Sequence, residues 1–185
     1  MPGQSPSQTV GPFFHNCLIH GQANRLITPH TQGQPIVIQG QVLDGDGQPV
    51  PDAMVEIWQA DANGFFNHAD DPNQPQADPH FTGFGRAETV EHGRFTFHTI
   101  KPGIILGEQV PYVNLRIFAR GMLVHAVTRL YFADEAGNAT DPVLNSVPGD
   151  RRETLIARQE QVPGFPTYCF NIHLQGDQET VFFDF

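Results

Sequence analysis

Apolar and polar residues alternate in short runs along this chain, and the alternation predicts β-strands. At 112–119, for example, Val113, Leu115 and Ile117 fall on one face of the predicted strand. Successive side chains of a strand point to opposite faces of a sheet, so this period of two is typical of a half-buried strand. The predicted strands are 36–43, 53–58, 94–100, 112–119, 127–132, 168–174 and 180–185. Short strands separated by turns favour an all-β fold with a β-sandwich core.

The remaining segments predict long loops and little helix. Asp150 is a candidate N-cap for a short helix over 150–159, with Glu153 at the capping-box position. A shorter helical turn is predicted within 17–24. The connection 59–86 is rich in Asp, Asn, Pro and Gly. A connection of this length in a compact domain is usually functional or part of an interface.

The N-terminal segment, residues 1–12, is small, polar and rich in Pro and Gly. Such a segment buries too little apolar surface to order itself, so it is either unstructured or held by another chain. We predict an extended arm that contacts a partner. The remaining residues, 13–185, are predicted to form a single β-sandwich domain, which suits a chain of 185 residues.

The charge and composition exclude several classes of function. The chain has 20 acidic and 10 basic residues and no basic patch, which argues against binding to nucleic acid or an anionic membrane. No apolar run approaches the ~18 residues of a membrane-spanning helix, and residues 1–10 lack the pattern of a secretory signal. A cytoplasmic location is therefore predicted, in which Cys17 and Cys169 would be reduced thiols rather than a disulfide.

The spacing of the histidines does not favour a metal site. They lie at positions 15, 20, 30, 68, 80, 92, 98, 125 and 173. None forms a His-x-His or His-x3-His pair, so structural or surface roles are favoured over metal binding. The chain also lacks the sequence motifs of α/β-hydrolases, P-loop proteins and Rossmann dinucleotide-binding proteins.

Seven segments, spread over nearly the whole chain, resemble the intradiol ring-cleavage dioxygenases. They are WQADANG at 58–64, GFGR at 83–86, TIKPG at 99–103, FARG at 118–121, TRLYF at 128–132, RRETLIA at 151–157 and ETVFFDF at 179–185. Each segment alone is a weak signal, whereas the whole set in the same order is a strong one. The last four are similar to the non-catalytic alpha chains of two-chain members of the family.

The resemblance implies a β-sandwich chain that works with a beta partner chain. In the family the catalytic chain binds non-haem Fe(III) through two Tyr and two His, because ferric iron prefers anionic oxygen and imidazoles complete the site. The assembled enzyme would use O2 to cleave 3,4-dihydroxybenzoate between its hydroxyl groups, giving 3-carboxy-cis,cis-muconate. This reaction belongs to the beta-ketoadipate pathway of aromatic degradation. Substrate and O2 would bind at the interface of the alpha and beta chains.

The four positions that match the family's iron ligands hold other residues in this chain. Asn73 and Ile105 stand at the tyrosine positions, and Tyr112 and Asn114 stand at the histidine positions. Of these, Tyr112 alone could ligate ferric iron, and it stands where the family has His. The resemblance therefore implies that this chain has no metal ligand, no cofactor and no catalytic residue, and that Fe(III) belongs to the beta partner.

Four residues are predicted to contact the substrate. Arg120, within the FARG segment, matches an alpha-chain arginine near the bound aromatic acid. An arginine can bond a carboxylate through two N–H groups, which makes this assignment physically reasonable. Thr9, Gly11 and Pro12 match the arm that reaches the partner's substrate pocket. There Gly and Pro would offer a stiff backbone, poor in side chains, against which a flat ring can lie.

Three further residues are assigned structural roles, and two alternative functions remain open beside this hypothesis. Arg116 and Arg129 are interpreted as interface or ion-pair residues, and Trp58 as a core residue. The first alternative is a stand-alone β-sandwich binding or structural module, which would need no partner. The second is an active iron dioxygenase with an unusual ligand set that includes Tyr112, which would carry iron when purified alone.

Overall fold

The structure, a computed structural model, describes residues 9–11, 13–89, 91–105 and 110–184. The described residues form nine strands and two five-residue α-helices. The strands are β1 (Pro35–Leu43), β2 (Ala53–Trp58), β3 (Phe84–Glu88), β4 (Arg94–Ile100), β5 (Tyr112–Ala119), β6 (Ala126–Phe132), β7 (Ile156–Glu160), β8 (Thr167–Cys169) and β9 (Ile172–His173). The helices are α1 (Phe14–Leu18) and α2 (Pro142–Ser146).

The strands form two sheets that share one strand, β7. One sheet has the order β3-β2-β5-β6, and the other has the order β8-β1-β4 with β9 also paired to β1. The N-terminal part of β7 pairs with β6 in parallel, with Ile156 opposite Tyr131. Its C-terminal part pairs with β8 in antiparallel, with Arg158 opposite Cys169. The strand therefore crosses from one sheet to the other, and the predicted all-β sandwich is confirmed.

One hydrophobic core lies between the two sheets. The alternation seen in the sequence decides which side chains enter it: Ile36 and Ile38 of β1 are fully buried, as are Val113 and Leu115 of β5. These residues belong to a single cluster that includes side chains from both sheets. The opposite face of β5 is therefore turned away from the core, and it is this outer face that carries polar residues.

Most strand predictions are confirmed, but the strand predicted at 168–174 is only partly right, and the strand predicted at 180–185 is wrong over the described residues. The segment 168–174 forms β8 and β9, with a break between them because β1 pairs with each in a different stretch. The described residues 180–184 are not a strand. Their backbone groups bond singly to other elements: Thr180 N–H to His173 and Phe183 N–H to Val127. Such scattered bonds hold an extended tail without forming a ladder.

The helix predicted at 150–159 is wrong. A 3-10 turn at Arg152–Leu155 is followed directly by β7. Asp150 precedes the turn, but no side-chain cap is formed, and tertiary pairing of Ile156 and the residues after it overrides the local helix signal. A helix, α2, does begin after Asp141, whose carboxylate accepts a hydrogen bond from Leu144 N–H. A proline occupies the first turn of this helix.

The long connection, defined here as residues 59–83, is anchored by the buried carboxylate of Asp61. Asp61 Oδ1 accepts hydrogen bonds from Asn63 N–H (2.8 Å) and Phe65 N–H (3.0 Å). Asp61 Oδ2 accepts one from Asp78 N–H at 2.7 Å, which joins the two ends of the loop. An ionised carboxylate with three backbone donors is well satisfied although it is buried.

Replacing Asp61 with alanine is expected to lower the free energy of unfolding by about 3 kcal/mol, because three backbone donors then lose a charged acceptor in a buried place. Urea unfolding followed by circular dichroism measures the effect. Asp177→Ala is the matched control, since the side chain of Asp177 is exposed. Equal midpoints for the two variants would contradict the anchoring role of Asp61.

Cys17 and Cys169 are free thiols, as predicted. Within the described parts of the chain, neither α-helix nor any other helical segment has the length and apolarity needed to cross a bilayer.

Candidate functional site

Arg120 lies in the tight turn that follows β5. The turn is closed by a hydrogen bond from Met122 N–H to Ala119 C=O at 3.1 Å. The Arg120 side chain is 68% exposed, and its Nη2 lies 3.0 Å from Asp52 Oδ2. One edge of the guanidinium is thus engaged with Asp52, while the planar group has five N–H donors in all. Among the residues that the structure describes, Asp52 is the ion-pair partner of Arg120, so the other donors can meet an anion that approaches from outside.

Thr9 contacts the same turn, at both sides of Arg120. Its Oγ1 accepts a hydrogen bond from Gly121 N–H at 3.2 Å and lies 3.4 Å from the carbonyl oxygen of Ala119. The structure therefore brings together two of the residues predicted to contact substrate, although they are more than 100 positions apart in sequence. We refer to Thr9, Asp52, Arg120 and Gly121 as the Arg120 corner.

The other two predicted substrate contacts are less defined. Gly11 accepts a hydrogen bond from Phe14 N–H at 3.2 Å, at the start of α1. Among the described residues, no atom outside its immediate neighbours lies within 4 Å of the place where a side chain at Gly11 would begin. Pro12 lies outside the described residues. Gly11 is therefore close to the corner in sequence, and its backbone faces open space.

Large apolar side chains are exposed close in sequence to the Arg120 corner. Leu123 and Val124, between Arg120 and β6, are 71% and 63% exposed, and Phe13, four residues after Thr9, is 70% exposed. Isolated exposed apolar residues are ordinary, but several on one turn and its neighbouring segment are typical of a surface that a partner covers. The corner thus combines a cation with an apolar border.

The four positions matched to iron ligands are divided among different surroundings. Tyr112 and Ile105 belong to a second hydrophobic cluster, in which Ile105 is packed at the edge. Arg129 lies over the Tyr112 ring, with its guanidinium carbon 4.2 Å from the ring centre. Asn73 precedes a 3-10 turn in the long connection, and its N–H bonds to Asp71 Oδ1 at 2.8 Å. Asn114 lines a cavity.

That cavity lies on the outer face of the sheet formed by β3, β2, β5 and β6, and has a volume of about 820 Å³. Its lining residues come from these strands, from the long connection and from the turn before β6: Glu56, Ile57, Trp58, Asn67, His68, Thr82, Phe84, Asn114, Arg116, His125, Val127 and Arg129. We refer to it as the outer-sheet cavity.

Comparison with known proteins identifies the family. A family model described as dioxygenase matches residues 10–176. The chain is 45% identical to the alpha chain of protocatechuate 3,4-dioxygenase from Burkholderia cepacia, over 98% of this chain and 97% of the relative. It is 33% identical to the beta chain from the same organism, over 82% and 66% of the two chains.

This chain belongs to the intradiol dioxygenase family. The structure of an intradiol ring-cleavage dioxygenase from Tetranychus urticae matches it with a TM-score of 0.66 at 20% identity, over 93% of this chain and 94% of the other. At that identity the match supports the sandwich fold alone. The family recognised from the seven sequence segments is thus the right one.

Intradiol dioxygenases use iron, and the residues at the four matched positions do not fit it. Ile105 offers no donor atom, and the guanidinium of Arg129 lies against the ring of Tyr112. Burial raises the pKa of the neighbouring Tyr131 far above its ordinary value, so this phenol stays neutral and bonds to Asp141 at 3.1 Å. The cation of Arg129 and the neutral phenol of Tyr131 oppose the binding of a ferric ion, which needs anionic oxygen ligands.

Throughout the described parts of the chain, no group of three or more His, Cys, Asp and Glu side chains is arranged to hold a metal ion.

For three residues that line the outer-sheet cavity, the sequence predicts structural or interface roles. Trp58 was assigned to the core, but its side chain points outward and lines the cavity. Arg116 and Arg129 were interpreted as interface or ion-pair residues. The signal that could have found the cavity was present: strand alternation puts Asn114 and Arg116 on the face opposite the buried side chains.

Proposed function

We propose that this chain is the alpha chain of a protocatechuate 3,4-dioxygenase, an alpha-beta assembly in which a beta chain holds the catalytic Fe(III). The observation that carries the proposal is the replacement of all four matched ligand positions in a chain that keeps the family's fold. The identity of 45% to an alpha chain, compared with 33% to a beta chain, supports the same assignment. The holoenzyme would insert both atoms of O2 into protocatechuate and open its ring between the hydroxyls.

In this proposal the Arg120 corner forms part of the substrate pocket at the interface between the two chains. Its guanidinium is 68% exposed, and its ion pair with Asp52 occupies one edge of the fork. The free donors would bond the carboxylate of protocatechuate and hold the ring with its hydroxyls directed away from this chain. Arg120 is therefore a substrate-binding residue that positions the ring for chemistry on the partner.

The N-terminal arm, residues 1–12, is proposed to extend over the partner, with 13–185 as the single folded domain. Thr9 supports the arm's course, because its contacts with Ala119 and Gly121 direct the chain past Arg120. The exposed Phe13, together with the apolar side chains of the turn, would be covered by the beta chain. Gly11 and Pro12 would then line the same pocket.

The test is to purify this chain alone and together with the beta chain, and to measure iron and ring cleavage in both samples. We expect the chain alone to carry almost no iron and to be inactive towards protocatechuate. The two chains together should elute as one assembly, hold iron in proportion to the beta chain, and consume O2 and protocatechuate.

Two results would contradict the proposal in different ways. Stoichiometric iron in the chain alone, with ring cleavage, would favour an iron enzyme that uses Tyr112. A stable monomer that fails to associate with the beta chain would favour the stand-alone binding or structural module.

A further inference from the structure

The outer-sheet cavity gathers cations on a chain that is poor in them. The chain has 10 Lys and Arg residues against 20 Asp and Glu residues. Two of the arginines, Arg116 and Arg129, line this one cavity from the neighbouring strands β5 and β6. The cavity therefore offers positive charge on a molecule whose net charge of −10 would repel anions from most of its surface.

The strand register explains how these residues meet. Asn114 lies opposite Trp58 on β2 and opposite Arg129 on β6. In the next outward-facing row, Arg116 lies opposite Glu56. An aromatic side chain, an amide and two arginines are therefore neighbours on this face of the sheet.

The negative charge in the cavity is already neutralised. Glu56 is 8% exposed and forms an ion pair with Arg86, whose Nε lies 2.6 Å from Glu56 Oε1. Arg116, in contrast, is exposed and has no ion-pair partner among the residues that the structure describes. The positive charge of Arg116 thus acts on a ligand without cancellation by Glu56.

Aromatic side chains build the other end of the cavity. Trp58 stacks on Phe66 with ring centres 5.6 Å apart, and His68 meets its edge at 6.0 Å. Phe84, 39% exposed, adjoins Trp58 across the β2–β3 pair. These contacts fix the indole in the lining of the cavity, where it offers apolar surface to a flat ring.

We propose that the outer-sheet cavity is a second binding site, on this chain itself, for small aromatic carboxylates. The carboxylate would bond to Arg116 and Arg129, and the ring would pack against Trp58 and Phe84. The volume of about 820 Å³ is ample for a one-ring acid. This site is separate from the Arg120 corner and does not depend on the proposed catalytic assembly.

The aromatic lining of the cavity favours an aromatic carboxylate over an inorganic phosphate. A ring against an indole adds attraction that an inorganic anion cannot obtain. The site should therefore discriminate by ring planarity as well as by charge.

The test is equilibrium dialysis of radiolabelled benzoate against the intact assembly purified with this chain. Benzoate is chosen because it lacks the paired hydroxyls that a ring-cleavage centre acts on. We expect Arg116→Gln to weaken binding at one class of site by about tenfold or more, as for the loss of a charge-assisted hydrogen bond. Cyclohexanecarboxylate, which has the charge but no flat ring, should bind more weakly than benzoate.

Arg94→Gln is the matched control, because Arg94 is another exposed strand arginine and lies outside the cavity. It should bind benzoate as the wild type does. Trp58→Leu, a second variant, should remove the preference for benzoate over cyclohexanecarboxylate while leaving the charge in place.

Five results would overturn the inference. Arg116→Gln and wild type could bind benzoate equally. Arg94→Gln could lose as much affinity as Arg116→Gln, which would indicate a general charge effect. Loss of binding in Arg120→Ala alone would assign it to the Arg120 corner instead. Finally, the wild-type assembly could bind no benzoate at this class of site, or inorganic phosphate could displace benzoate at equal concentration.

Discussion

Replacing Arg120 with alanine is expected to raise the KM of the assembled enzyme for protocatechuate by about tenfold to a hundredfold, with a smaller change in kcat. The range corresponds to losing a charge-assisted, two-point contact with a carboxylate. Because the carboxylate is remote from the bond that breaks, Arg120 contributes to binding in the ground state and transition state alike. Such a contact changes KM more than kcat.

Steady-state O2 consumption with varied protocatechuate measures the effect, and iron content is measured in the same preparation. Arg158→Ala is the matched control, since Arg158 is also exposed and ion-paired, with Glu153 at 2.8 Å. It should keep the wild-type KM. Arg120→Lys should fall between the two, because lysine keeps the charge but loses the planar fork.

The ion pair with Asp52 supplies a further check on Arg120. If the alanine variant acted only by breaking that pair, Asp52→Asn would raise KM equally. We expect instead that Asp52→Asn leaves KM unchanged or lowers it, because more of the guanidinium is then free for substrate. An unchanged KM in Arg120→Ala, with normal iron, would remove Arg120 from the substrate pocket.

The sequence predicted the core strands well because their residues are selected by burial on one face. The strand at 53–58 and those at 94–100 and 112–119 have the predicted bounds. The sequence pattern failed to predict a strand that is defined by its pairing with neighbouring strands rather than by alternation of buried and exposed residues. β7 lies between two sheets and is buried at few positions, so its sequence shows little periodicity, and a local helix signal was preferred.

The same distinction applies to the candidate sites. Arg120 could be selected by its motif, but the contact of Thr9 with Gly121 depends on the folding of a distant segment against a turn. The replacement of the iron ligands could be predicted from the sequence, residue by residue. The surroundings of the replaced positions could not be predicted, because the position of Arg129 over Tyr112 follows from the β5–β6 register.

Gly40 in the middle of β1 gives the largest effect expected on stability. The chain passes from β8 to β9 beside it, and Phe170 N–H bonds to Gln39 C=O at 2.8 Å. A Cβ atom at Gly40 would lie 1.8 Å from the carbonyl oxygen of Phe170 and 3.0 Å from the ring of Phe95. The first of these neighbours is backbone, which cannot turn away as a flexible side chain could.

Gly40→Ala is therefore expected to lower the free energy of unfolding by about 4–5 kcal/mol, the size of effect reserved for severe core disruption. To admit the methyl group, β1 must separate from β8 and β9, and those pairings close the second sheet. Soluble yield and the urea midpoint of the purified assembly measure the loss. Gly149→Ala is the control, because a Cβ there meets no atom within 4 Å. If both alanine variants unfolded near the wild-type midpoint, the close approach of Phe170 to Gly40 would not be a constraint on the fold.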